Sequence, residues 1–220
     1  MIFSSCILIP SGKPLNPRLL FTVGSEFLNG AESVALKGDI EYEDDRHNDS
    51  GTFTLIMTGG DSLAFLVEGP FKVDVFRLII ADHFAYAMDR ESGDWTVEPA
   101  DENLSIPDYG IDGVTPEMFK YSVLPQYYLG NELFFDPRNS VLETDTRAFQ
   151  IISSSNNKSF TLSSPDLDLL IIYGKRRDIG TGYYPSKIEI APFNKSWSIT
   201  LTIDKIRINP SIPSSVWDRD

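Results

Sequence analysis

At 220 residues the chain fits one domain, long enough to bury a core without disulfide or metal staples. A net charge of −13 argues against nucleic acid and against attraction to anionic lipid. With 1 cysteine and 2 histidines, neither a disulfide framework nor a Cys/His metal set can be drawn, and no apolar run reaches the ~18 residues of a membrane-spanning helix.

In chain order, Phe3-Ser4-Ser5-Cys6 comes first. It resembles the box in which bacterial lipoproteins place small residues just before the cysteine that becomes lipidated. On that reading Cys6 is the lipidation site and residues 1–15, with Pro10, Gly12 and Pro14, form a tether ahead of a single domain over 16–220. The alternative is that Cys6 is incidental, because the residues before it are too few for a charged and an apolar signal region. Asn16-Pro17 then gives a helix start, cap followed by proline, and Leu19, Val23 and Phe27 fall on one apolar stripe before Asn29-Gly30 stops it.

Residues 33–43 alternate Val34, Leu36, Ile40 and Tyr42 against Lys37, Asp39 and Glu41, a half-exposed strand. A polar hairpin loop over 44–51 follows; its acids lack the ligand spacing of a calcium loop. Three strands come next between residues 50 and 80, with turns at Gly59-Gly60-Asp61 and Glu68-Gly69-Pro70-Phe71-Lys72. The period of two sets Phe53, Leu55 and Met57 on one face, and likewise Leu63, Phe65 and Val67. Phe71 is an apolar residue at a turn tip. A further strand puts Phe84, Tyr86 and Met88 on one face.

Residues 98–114 read as a long acidic connection, with Pro99, Pro107, Gly110 and Gly113. Thr115-Pro116-Glu117 starts a second helix whose apolar side carries Met118, Phe119, Val123 and Leu124, and Pro125 ends or kinks it. From 141 onward strands return, at 148–153, 158–162, 167–173, 184–190, 196–203 and 205–209. In the fifth of these Trp197, Ile199, Leu201 and Ile203 alternate with Ser198, Thr200, Thr202 and Asp204. About ten or eleven strands and two helices without strand–helix alternation predict a mainly β, antiparallel sheet that curls toward a barrel.

Catalytic chemistry finds no support. His83 follows Asp82 at a turn with no nucleophile motif, His47 lies in a polar loop, and no carboxylate pair stands out. The run from Gly174 to Gly182, with Lys175, Arg176 and Arg177, lacks the strand–loop–helix setting of a phosphate loop and reads as a hairpin turn. No cofactor and no metal are expected.

The layout over roughly residues 16–209 resembles the LolA/LolB type of outer-membrane lipoprotein carriers, closer to LolB. The opening helix running into the first strand is similar to the start of that family. The hairpin tip Gly69-Pro70-Phe71 resembles its apolar loop, and residues 111–130 resemble its lid segment. The resemblance implies an incomplete antiparallel barrel with a helical lid over an apolar cavity. It also implies a periplasm-facing outer-membrane location through a lipid anchor, and acyl chains of lipoproteins or phospholipids as partners, together with a periplasmic carrier protein. Phe71 stands where the LolB branch carries a leucine implicated in handing lipoprotein to the membrane.

On this reading the cavity is lined by Leu36, Ile40, Phe53, Leu55, Met57, Leu63, Phe65, Val67, Phe84, Tyr86 and Met88. Leu19, Val23, Phe27, Met118 and Phe119 lie under the lid. The same pattern fits a core packed solid without a cavity. A second function fits the same fold: a structural or assembly subunit that docks a protein partner, with Trp95, Tyr183 and Tyr184 as anchors. A hydrolase using the pocket for a lipid substrate is a third.

Overall fold

The computed structural model describes residues 31–58, 62–72, 74–88, 93–100, 104–106, 111–114, 119, 122–123, 134–136, 141–143, 148–153, 159–164, 168–178 and 183–219. Strand succeeds strand, each short run of alternating apolar and polar residues turning back on the last. The strands are β1 (Ser33–Asp44), β2 (Asn48–Thr58), β3 (Ser62–Glu68), β4 (Asp74–Ala81), β5 (Phe84–Met88) and β6 (Trp95–Pro99). Then come β7 (Leu104–Ile106), β8 (Ile111–Val114), β9 (Phe134–Asp136), β10 (Val141–Glu143) and β11 (Ala148–Ser153). The last are β12 (Ser159–Ser164), β13 (Leu169–Asp178), β14 (Tyr183–Pro192) and β15 (Trp197–Ile208).

Thirteen of them form one antiparallel sheet in the order β6-β5-β4-β3-β2-β1-β15-β14-β13-β12-β11-β10-β9, and β7 pairs only with β8. The order is linear, with β6 and β9 at its ends, so the sheet is open and not a closed barrel. Every neighbour is a sequence neighbour except at one seam, where β1 pairs with β15. Asn209 clasps that seam. Its Oδ1 accepts from the backbone N–H groups of Glu32 at 2.7 Å and Ser33 at 3.1 Å, while its own N–H donates to the Ser33 carbonyl at 2.8 Å.

One face of the sheet, called the inner face, carries a single apolar cluster drawn from β1–β5 and β12–β15. Its rows follow the registers. Ala87, Leu78, Phe65, Leu55 and Leu36 stand side by side across five strands, and Ala85, Ile80, Leu63, Met57 and Val34 form the next row. Beyond the seam Ile40 meets Leu201, Ile188 and Tyr173 in turn.

The strand count corrects the expectation of about ten or eleven. Residues 98–114, expected as connection, contain β7 and β8, and β9 and β10 were not expected at all. Conversely the two strands expected at 196–203 and 205–209 are one. The register of β1 against β15 shifts between Lys37 and Gly38, so that Lys37 faces Lys205 and Gly38 faces Ile203. The register skips Asp204, which forms a bulge, and the extra residue turns Ile206 and Ile208 back toward the cluster that Ile199, Leu201 and Ile203 already face. Gly38 is required opposite it, since a Cβ there would lie 1.8 Å from the Thr202 carbonyl oxygen.

The outer face is also covered in part. Ala64, Ile79 and Ala81 are buried there, with Leu66, Tyr86, Trp95, Val216 and Trp217 packed around them. The chain after β15 therefore doubles back over β3–β6, ending in a 3-10 turn at Ser214–Trp217. Arg77 fastens it, donating from one guanidinium nitrogen to the carbonyls of Ser215 at 3.0 Å and Val216 at 2.9 Å. The same guanidinium lies 5.7 Å from the Trp95 ring centre, and that of Arg219 lies 3.7 Å from the ring centre of Tyr86.

This cover explains a reversal on β5. Phe84, Tyr86 and Met88 were expected to face inward; Ala85 and Ala87 do instead. Tyr86 joins the outer cluster, and Phe84 is 45% exposed. Opposite Ile80 and Leu78, the small alanines leave room on the inner face, while the large side chains find apolar partners on the outer one.

Candidate functional site

The inner face is the site candidate, and Phe65 is its centre. Its ring centre lies 5.9 Å from that of Phe53, 6.4 Å from Phe76 and 4.6 Å from Phe119, all in tilted or edge-on arrangements that aromatic quadrupoles favour. Around it Leu36, Leu55, Met57 and Leu63 are fully buried, and Ile40 and Val67 are partly buried against the same cluster. Burial of each such side chain is worth ~1.5–3 kcal/mol. Of the residues expected to point inward, the eight from Leu36 to Val67 lie on this face, and Phe84, Tyr86 and Met88 do not.

Phe119, Ser122 and Val123 have helical backbone and are buried against the inner face. They are the described part of the expected second helix; no complete lid helix is described. Their anchorage comes from the other half of the sheet. The Tyr173 hydroxyl donates to the Ser122 carbonyl at 2.8 Å, and the Tyr184 hydroxyl donates to the Val123 carbonyl. Both carbonyls thus take a buried phenol as donor from outside their own segment, as buried main-chain acceptors require. Burial pushes both phenols above the ordinary tyrosine range, which keeps them as donors at any physiological pH.

Tyr184 is therefore an interior residue and not the exposed anchor expected for a protein partner; Trp95 is half covered by the tail; of Tyr183 only the main chain is described. Leu19, Val23, Phe27, Met118 and Cys6 lie outside the described residues. The wall supplied by Phe76, Tyr173, Tyr184, Ile188 and Leu201 was missing from the expected lining, although the alternation that carries Leu201 was visible. The basic run Lys175-Arg176-Arg177 lies within β13, paired with β14, and not in a turn.

At one end of the sheet the β3–β4 hairpin turns through Gly69 and a 3-10 turn at Pro70–Lys72. Phe71 sits there 98% exposed, on a left-handed backbone with φ of 67°. An aromatic side chain both solvent-exposed and on this strained conformation is held out from the fold, not folded back on it. The neighbouring β1–β2 turn is polar. Asp44 Oδ1 accepts from the N–H groups of Arg46 and His47, both at 2.6 Å, and its Oδ2 accepts from the Tyr42 hydroxyl at 2.9 Å. These bonds, the one from the Arg46 N–H foremost, hold the Asp44 carboxyl below the usual carboxylate range. Among the described residues no group of three or more His, Cys, Asp or Glu is placed to hold a metal ion.

No protein-family model and no curated protein matches the sequence. Solved structures do. The LolA superfamily protein NE2245 from Nitrosomonas europaea superposes with a TM-score of 0.59 at 10% identity, covering 94% of this chain and 98% of that one. The fold is LolA/LolB-like. The LolA/LolB-like architecture also extends to a DUF1329 family protein from Desulfovibrio piger, with a TM-score of 0.56 at 8% identity over 94% of this chain and 98% of the other. A third match is a domain ascribed to outer membrane lipoprotein sorting in Vibrio parahaemolyticus, with a TM-score of 0.55 at 10% identity over 91% and 96% of the two chains. At such identities the likeness is one of fold.

Proposed function

We propose that the chain is a carrier without covalent chemistry that holds the acyl chains of lipoproteins or phospholipids against the inner face. On this reading it works at the periplasmic face of the outer membrane, tethered through a lipid on Cys6, and exchanges cargo with a periplasmic carrier protein. The observation that supports the reading is the inner face itself: one continuous cluster of apolar and aromatic side chains, sheltered from water and drawn from both halves of the sheet. An acyl chain costs ~0.8 kcal/mol per methylene in water, so such a surface needs to be broad and apolar and need not be exact in shape. Phe119 and Val123 occupy part of it, and their displacement would make room for cargo. Phe71 at the hairpin tip would touch the membrane during delivery.

Native mass spectrometry of the purified protein, followed by organic extraction, tests the reading. Near-stoichiometric bound lipid is expected, and Phe71→Glu should retain that lipid while slowing its transfer to vesicles. A clean apo mass combined with no uptake of a fluorescent fatty acid would sink it and leave the partner-docking subunit as the better account.

A further inference from the structure

Four large apolar side chains are exposed among the described residues: Phe71, Phe84, Val97 and Phe193. Two of them share one end of the sheet. In the antiparallel ladder, the β3–β4, β1–β2 and β14–β15 turns all fall at the same end, because Asp44 pairs with Trp197 and Glu43 with Asn48. Phe71 and Phe193 sit on the first and last of these turns, and the polar Asp44–His47 turn lies between them. With strands about 4.8 Å apart, the two tips stand roughly 20 Å from each other along the sheet.

The turn that carries Phe193 is pinned by main-chain bonds. The Phe193 N–H donates to Asp168 Oδ1 of the neighbouring hairpin at 3.2 Å, and the Lys195 N–H closes the turn onto the Pro192 carbonyl at 3.0 Å. Asp168 and Lys195 both take left-handed backbone, with φ of 47° and 53°. Phe193 nonetheless remains 44% exposed.

We infer that this end of the sheet is a two-point docking edge for a bilayer of zwitterionic phospholipid, with Phe193 as a second anchor beside Phe71. Two separated aromatic points around a polar turn suit an interface where rings enter the acyl boundary and polar groups stay among headgroups. A protein partner would instead favour one contiguous patch. The exposed charges between and beside the tips carry both signs with acids in excess, Arg46 and Lys195 against Glu43, Asp45, Asp49 and Asp168, which tolerates zwitterionic headgroups and disfavours anionic ones. The net charge of −13 opposes an anionic surface. The turn can approach headgroups without losing bonds, since Asp44 already satisfies its N–H groups.

This inference rests on the membrane role of Phe71 proposed above, and the experiment separates the two. The full chain is sedimented with phosphatidylcholine/phosphatidylethanolamine vesicles as wild type, Phe71→Ser, Phe193→Ser and the double variant. Each single variant should weaken partitioning roughly three- to tenfold, and the double variant should weaken it further. Phe193→Ser behaving as wild type while Phe71→Ser is impaired would overturn the second anchor and leave the Phe71 reading intact. No vesicle binding by the wild type, or no effect of either substitution, would overturn both. Should Phe193→Ser lose its fold, Phe193→Trp supplies the readout. Nitroxide-labelled lipid should quench the added tryptophan beyond the wild-type signal, and no added quenching would overturn the inference. Adding phosphatidylglycerol should reduce binding; an increase would overturn the choice of zwitterionic lipid.

Discussion

The hydroxyl of Tyr173 donates to the carbonyl of Ser122 at 2.8 Å, so a strand of the second half-sheet holds a helical residue down on the inner face. Tyr184 does the same for Val123. Replacing either tyrosine by phenylalanine leaves a buried carbonyl without that donor and should cost about 1–3 kcal/mol in urea unfolding. On the carrier reading, the same variants should take up a fluorescent fatty acid faster than wild type, because the helical residues are released from the face they cover.

The two phenols also predict the alkaline limb of stability. Their folded-state pKa values are raised above the ordinary 10.0 by burial. Their contribution is thus fully present below pH 10 and is lost as the pH rises above it. Urea midpoints measured across that range should fall for wild type and fall less steeply for Tyr184→Phe.

Gly38→Ala should be among the most damaging single substitutions in the sheet, costing about 3 kcal/mol or preventing folding. Its Cβ would lie 1.8 Å from a backbone oxygen of the bulged partner strand. Gly174→Ala is the control, with the nearest atom 4.0 Å away and an expected change within ~0.5 kcal/mol in the same assay.

At the β4–β5 turn Asp82 and His83 both have positive φ, 53° and 66°, the left-handed pair a two-residue hairpin demands. Neither is the residue best suited to it. His83→Gly is expected to raise stability by ~0.5–1 kcal/mol, read from the thermal or urea midpoint, because it relieves the Cβ clash while keeping the main-chain bond from Ala100.

Arg77→Ala removes both bonds that fasten the chain after β15 to the outer face. Faster proteolysis within residues 210–219 is expected, with a blue-to-red shift in tryptophan emission as Trp217 and Trp95 meet water. Unchanged proteolysis would mean that the apolar contacts of Val216 and Trp217 suffice alone.

Much of this was legible in the sequence where alternation came with unambiguous partners. The faces of β1 and β2 follow from Leu36 and Leu55, whose neighbours Lys37 and Thr54 are polar, whereas on β3, with Ala64 and Leu66 on the other face, the larger Leu63 and Phe65 marked the inward side. On β5 the period of two was right and its phase was wrong. Phe84-Ala85-Tyr86-Ala87-Met88 is apolar on both faces, and size pointed the large side chains inward. The phase was set instead by what lay opposite: Ile80 and Leu78 on one face, the returning tail on the other. Asp204 misled in a different way. A charged residue inside an apolar alternation looks like a turn, while a bulge lets the strand continue and restores its inward face. The tyrosine hydroxyl contacts had no local signal, since their partners are 51 and 61 residues away.

The pairing of β1 with β15 gives the protein a delayed seam. Every other strand of the large sheet can pair with one just synthesised, but one edge of β1 waits for the final strand. At ordinary translation speeds that wait lasts on the order of ten seconds. During it an apolar strand from the future centre of the sheet stands as a bare edge, the kind of surface that recruits strands from other chains. Loss of residues within β15 should accordingly leave two half-sheets prone to aggregate, and the nascent chain has reason to depend on a holding chaperone until Asn209 closes over Ser33.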